Sequence, residues 1–152
     1  GWHEVLVVHG DVPLLTAAEL DWFLGVHGEM PGAAVTVAPD RWRGGTNLLA
    51  WRGLPGFRAQ YGQDSFRRHC AAARERGARL SVCTLPGAAI DVDEPDDLQV
   101  VRVSACGAQA PRTQGVLGEI VGRVCEATTT WVRHRTLGFA SRNPTYEESR
   151  CA

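Results

Sequence analysis

Three stretches of this 152-residue chain carry side chains of the kind that handle phosphate and divalent cations. The first is Val5-Leu6-Val7-Val8, followed by His9-Gly10-Asp11-Val12-Pro13. Four consecutive apolar residues predict a strand buried on both faces. Gly10 ends it, and Pro13, lacking an N–H, stops further pairing. Asp11 then stands just past the carboxyl end of a strand, where open α/β sheets bind ligands. A carboxylate there is placed to hold a hard cation such as Mg²⁺ against a phosphate. The plainer reading, of equal weight locally, is that Asp11 shapes the turn.

The second stretch is Pro39-Asp40-Arg41-Trp42-Arg43-Gly44-Gly45-Thr46-Asn47. Adjacent glycines permit positive φ and let backbone N–H groups face an anion. Thr46 adds a hydroxyl, and Arg41 and Arg43 add guanidinium donors suited to phosphate or carboxylate. A polar hairpin turn explains the same residues and is modestly favoured. Downstream, Asp64 or Ser65 starts a helix whose free N–H groups form another candidate phosphate seat. The third stretch is Asp91-Val92-Asp93-Glu94-Pro95-Asp96-Asp97. Pro95 fits a first helical turn, and Asp96 and Asp97 complement its positive end. Asp91 and Asp93 alternate, so one can face a cleft while the other caps the helix. Together they offer Asp11 a partner in a two-carboxylate Mg²⁺ site, although all five acids could simply start a helix.

The elements that must position these residues follow from periodicity. Thr16 and Glu19 form a capping box for a helix over 17–27, with Leu20, Phe23, Leu24 and His27 on one face and Gly28 as its stop. Strands are predicted at 33–38, 47–51 and 79–83. Residues 53–63 read as irregular. A helix from 64 or 65 to about Arg76 turns Phe66, His69, Cys70 and Ala73 inward. His69 reads as a packing residue, because no second His or Cys lies at ligand spacing. These elements place a core in residues 1–102. Residues 103–152 read as a divergent region, with a helix over 115–127 and a poorly ordered tail from 128.

Hydrophobic residues make up 44 % and charged residues 22 %, ordinary for a soluble domain. No apolar run reaches the ~20 residues of a membrane span. Five cysteines without a CxxC pair indicate neither zinc nor a disulfide framework, so a reducing cytoplasm is expected. Net charge is −1, with five acids and no cation in residues 1–39 but nine Arg against three acids in 40–79. That pattern suits an anionic small molecule with a metal and fits nucleic acid poorly. All 16 cations are Arg, as a GC-rich coding bias would give.

Gly10-Asp11-Val12-Pro13-Leu14-Leu15-Thr16, Ala38-Pro39-Asp40-Arg41 with Gly45-Thr46-Asn47, Tyr61-Gly62 with Ser65-Phe66 and His69, and Asp91-Val92-Asp93 with Pro95 and Asp97-Leu98 occur in an order that is itself specific. In this order and spacing, residues 4–101 resemble the 2-phospho-L-lactate / phosphoenolpyruvate guanylyltransferase family of coenzyme F420 biosynthesis. The resemblance implies an α/β, Rossmann-like nucleotidyltransferase (GT-A-like) three-layer sandwich, here N-terminally truncated, because nothing matches the family's opening Gly-rich basic loop. Two smaller departures are Arg43-Gly44, where the family is richer in Gly, and Glu94, where it usually has Thr. The implied activity transfers GMP from GTP to phosphoenolpyruvate or 2-phospho-L-lactate and releases pyrophosphate. Asp11, with Asp91 or Asp93, would hold Mg²⁺; Thr46, Gly62 and Ser65 would bind the phospho-acid. Turnover by this chain alone is expected to be weak or absent. Two other readings are a nucleotidyltransferase for a molybdenum cofactor or sugar phosphate, and a non-catalytic binding module. Homo-oligomerisation is left open.

Overall fold

The structure, a computed structural model, describes residues 3–104. The helix expected over 115–127 and the tail expected from 128 lie outside the described residues. The element order is β1 (Glu4–Val8), α1 (Ala17–Glu29), β2 (Ala34–Pro39), β3 (Thr46–Arg52), α2 (Ser65–Glu75), β4 (Arg79–Val82) and α3 (Pro95–Ser104). The four strands form one mixed sheet in the order β1-β3-β2-β4. β3 runs antiparallel to β1 and β2, and β2 runs parallel to β4.

Alternation along the central strands builds two apolar layers. Ala38, Leu48 and Ala50 face α1 and pack with Phe23, Cys83, Leu85 and Ala88. Val35, Val37 and Leu49 face the opposite way, against Ala73 of α2 and Phe57. Every residue of β2 is buried, because helices cover both sides of it. The result is a helix–sheet–helix sandwich. Fully burying a side chain such as Phe23 or Leu48 contributes about 1.5–3 kcal/mol each.

β1 departs from the expectation of burial on both faces. Among the described residues it lies at the sheet edge, paired with β3 alone, and its residues alternate between exposed and half-buried. Leu6 and Val8 are exposed, as is Leu24 of α1. An unbroken apolar run therefore did not mark a central strand here.

α1 is clamped at both ends. Thr16 Oγ1 accepts from the Glu19 amide, while Glu19 Oε2 accepts from the Thr16 amide and hydroxyl. The other carboxylate oxygen, Oε1, accepts from the Gly87 amide at 2.7 Å and so ties the loop after β4 to this helix. At the far end the helix continues through Gly28 to Glu29. There the Arg52 guanidinium donates to the carbonyls of His27, Met30 and Gly32, which a helix end otherwise leaves unpaired. Inside the same layer, His27 Nδ1 lies 2.8 Å from Thr36 Oγ1 of β2.

Two glycines make opposite predictions. A Cβ on Gly87 would stand 2.3 Å from the Leu14 carbonyl and 2.4 Å from Glu19 Oε2, neither of which can yield without opening the clamp. Gly87→Ala should therefore destabilise by about 1–3 kcal/mol, as overpacking does. Gly25 sits inside α1 with nothing within 4 Å of its would-be Cβ. Gly25→Ala should stabilise by about 0.5–1 kcal/mol, from helix propensity alone. Urea midpoints at constant slope measure both.

Candidate active site

The carboxyl ends of β1, β2 and β4 and the amino end of β3 lie along one edge of the sheet. The edge is stitched by backbone bonds. The His9 amide donates to the Asn47 carbonyl at 3.0 Å, so the turn carrying Asp11 starts beside Thr46. Val92 N donates to the Asp11 carbonyl at 3.0 Å, which brings the Asp91–Asp93 stretch against Asp11. Asn47 Nδ2 donates to the Ala88 carbonyl at 2.8 Å and fixes the approach of that stretch.

The carboxylates so gathered repel one another. Burial raises the Asp91 carboxyl above its ordinary range, and Asp93, Asp40 and Asp11 push it in the same direction. Asp11 is itself open to solvent, with His9 Nδ1 3.9 Å from Oδ1. Oxygen donors of this kind are the chemistry a hard divalent cation takes. Among the described residues no three candidate ligand side chains converge into a ready cage. A cation with this chemistry keeps several waters or substrate oxygens, so a pair of carboxylates suffices.

Asp97 is structural, as its place in a first helical turn suggested. Its Oδ2 accepts from the amides of Asp93 at 3.1 Å and Glu94 at 2.9 Å, and its Oδ1 takes the Arg41 guanidinium. Those amide hydrogen bonds, helped by Arg41, hold the Asp97 carboxyl below the usual carboxylate range. Arg41 also donates its amide to the Ala89 carbonyl and lies over the Trp42 ring. It is a brace between two loops, and its guanidinium is already engaged.

The Gly44-Gly45 loop takes the plainer of its two readings, a self-contained polar turn. Its amides do not face a ligand. Asp40 Oδ1 accepts from Trp42 N at 3.0 Å and Gly44 N at 2.9 Å, and Oδ2 accepts from Gly45 N at 2.7 Å. The loop binds an anion, and that anion is its own aspartate. The left-handed residue is Arg43, at φ 58°, and not a glycine. Gly45 is required for close approach, since a Cβ would lie 2.8 Å from Asp40 Oδ2.

The start of α2 is likewise partly spent. Ser65 N donates to the Gly62 carbonyl and Phe66 N to the Gly44 carbonyl. Asp64 takes the N-cap position in a left-handed conformation without a side-chain cap bond. Thr46 and Ser65 are almost fully buried, whereas Gly62 is exposed at φ 97°. Thr46 and Ser65 reach this edge from β3 and α2, and Gly62 closes the turn that leads into α2.

Residues that sequence reasoning passed over connect these parts. The His9 ring packs on Tyr61 with centroids 4.8 Å apart, and Tyr61 meets the His69 ring edge-on at 5.2 Å. His69, read from spacing as mere packing, is buried but bonds Thr46 Oγ1 through Nδ1 at 3.0 Å. Partners 23 residues apart leave no local pattern to read. The basic middle segment also proves largely structural. Arg52 closes α1, Arg68 donates to the Tyr61 carbonyl, and Arg76 donates to the carbonyls of Pro55 and Gly56.

Residues 2–113 match the family model described as "Guanylyl transferase CofC like". The chain belongs to this family. Relatives agree with that. One is the phosphoenolpyruvate guanylyltransferase of Conexibacter woesei, 37 % identical over 123 residues, which span 80 % of this chain and 55 % of that protein. Another is the 2-phospho-L-lactate guanylyltransferase of Haloarcula marismortui, 38 % identical over 104 residues, or 68 % of this chain and 47 % of that one. The chain spans about half the length of the curated relatives it matches. Among solved structures, one from Desulfovibrio desulfuricans G20, assigned to the nucleotide-diphospho-sugar transferases, superposes with a TM-score of 0.62. It covers 83 % of this chain and 55 % of its own at 17 % identity, which carries the fold alone. The Rossmann-like nucleotidyltransferase fold expected from sequence is therefore the fold observed. Among the described residues of this CofC-like chain, no helix is long and apolar enough to cross a membrane.

Asp97 provides a test of how the acidic stretch is held. A carboxyl whose folded-state pKa is depressed stabilises the fold above its unfolded value, and that stability is lost as pH falls through the folded value. Asp97→Ala should cost about 1–3 kcal/mol at pH 7, because it leaves two amides and Arg41 unpaired. The difference from the parent chain should shrink as pH falls below about 4, read from denaturation midpoints across pH.

Proposed function

We propose that this protein transfers GMP from GTP to a three-carbon phospho-acid, phosphoenolpyruvate or 2-phospho-L-lactate. The observation that carries this reading is the pair of backbone bonds, His9 N to Asn47 O and Val92 N to Asp11 O. They bring the backbone of the Asp11 turn and of the Asp91–Asp93 stretch to the end of the sheet where Thr46 begins β3. Anion donors beside a cation seat are what joining two phosphate-bearing substrates requires. The names of the relatives supply the substrate class.

In the reaction, an oxygen of the acid's phosphate forms a bond to the α-phosphorus of GTP. The bond from that phosphorus to the bridging oxygen breaks, and pyrophosphate leaves with that electron pair. Asp11, with Asp91 or Asp93, would hold Mg²⁺, which supplies charge neutralisation at the phosphates. Thr46 and Ser65 offer hydroxyls, and the Gly62 turn a backbone surface, to hold the acid in line for attack. The chemistry needs no side-chain nucleophile, only positioning and charge compensation.

The test uses this chain. Phosphoenolpyruvate with Mg²⁺ should raise the melting temperature of the chain by several degrees. At a hundredfold excess over Kd, ligand binding adds about 2.7 kcal/mol. Thr46→Ala and Ser65→Ala should each abolish the shift, and a shift that survives both would remove these residues from the site. Asp11→Asn should lower any pyrophosphate release from GTP by on the order of a hundredfold or more. Sugar phosphates should give no shift.

A further inference from the structure

His69 lies on α2 with its ring fully buried, and both ring nitrogens are engaged. The Gln60 amide donates to Nε2 at 2.7 Å. A backbone amide always carries its hydrogen and can only donate. Nε2 must therefore present its lone pair, and the single proton of a neutral ring sits on Nδ1. Nδ1 lies 3.0 Å from Thr46 Oγ1, so the ring donates and the hydroxyl oxygen accepts. That leaves the hydroxyl's own hydrogen turned away from the ring, and among the described residues nothing accepts it. The opposite tautomer would reverse this sense. Thr46 would then donate to the imidazole and show an anion only lone pairs.

We propose that His69 is a positioning residue: locked by the Gln60 amide, it makes Thr46 a hydrogen-bond donor toward the anionic oxygens of the phospho-acid. This rests on the functional reading above and adds to it what sets the polarity of the acid's seat. The neutral ring that the arrangement needs is secured by burial, with Arg68 and His9 nearby. Together they lower its pKa to about 4. Chained hydrogen bonds polarise one another, so the Gln60–His69–Thr46 relay strengthens the terminal donor.

Two measurements test the proposal. In ¹⁵N-histidine-labelled chain, two-bond proton–nitrogen correlations should show His69 protonated on Nδ1 and bare on Nε2. A proton on Nε2 overturns the proposal without any variant being made. The second measurement is calorimetric titration of phosphoenolpyruvate with Mg²⁺ into variants. His69→Asn keeps an amide donor near the Nδ1 position and loses the acceptor for Gln60. His69→Gln keeps an acceptor near the Nε2 position and loses the donor to Thr46. The Asn variant should stay within about threefold of the parent Kd, while His69→Gln and Thr46→Val should weaken binding about tenfold or more. Equal losses in the Asn and Gln variants would make His69 a packing residue and overturn the positioning role alone. A parent chain that binds neither phosphoenolpyruvate nor 2-phospho-L-lactate would overturn the functional reading itself, and this inference with it.

Discussion

The side-chain amide of Asn47 and the backbone around it form the joint on which the site depends. Asn47 is buried at the first turn of β3, where its carbonyl receives the end of β1 and its Nδ2 reaches the loop after β4. Three segments that are far apart in sequence are thereby brought to one edge within hydrogen-bond distance. A buried amide left without these partners would cost about 1–3 kcal/mol, so the joint holds as a unit. Asp11 needs the β1 end in place, the acidic stretch needs the Ala88 carbonyl held, and Thr46 is the residue next door. The two apolar layers supply most of the stability, but they would be compatible with several loop arrangements. This joint selects one.

Charge is managed by the same economy. The site edge concentrates carboxylates, and each is given a distinct task by its surroundings. Asp97 is saturated with amides and an arginine, and it acts as a helix cap. Asp40 is consumed by its own loop. Asp91 is half-buried among Asp93, Asp40 and Asp11, and Asp11 is exposed beside His9. Residue type alone did not separate these roles, because hydrogen bonding sorts the carboxylates and pairing is a property of the fold.

What could be read in the sequence divides along that line. Local features were legible: the Thr16–Glu19 capping box, the Pro95 start of α3 and the approximate bounds of β2, β3 and α2 all follow from patterns within one turn or strand. The order of short motifs gave the family, because it reflects a whole arrangement and no single contact. Illegible were the features decided by distant partners. Val5 to Val8 looked central because the run is apolar, yet the sheet places it at an edge. The glycine loop allowed an anion nest beside the favoured plain turn, and what decides between them is Asp40, four and five residues away, which fills it. His69 looked inert because ligand spacing was sought, while its partners are a hydroxyl and a backbone amide.

Arg52 bears on the all-arginine composition in a way the charge count does not show. Its planar guanidinium reaches three carbonyls at the end of α1 from one position, and Arg76 spans two carbonyls in the loop before α2. An ammonium group is a compact, strongly hydrated charge without that rigid fork. Lysine in place of Arg52 would leave carbonyls at that helix end unpaired, whereas at an exposed position such as Arg67 or Arg74 the exchange removes no such fork, so arginine and lysine are interchangeable on the surface of this fold and not at its joints.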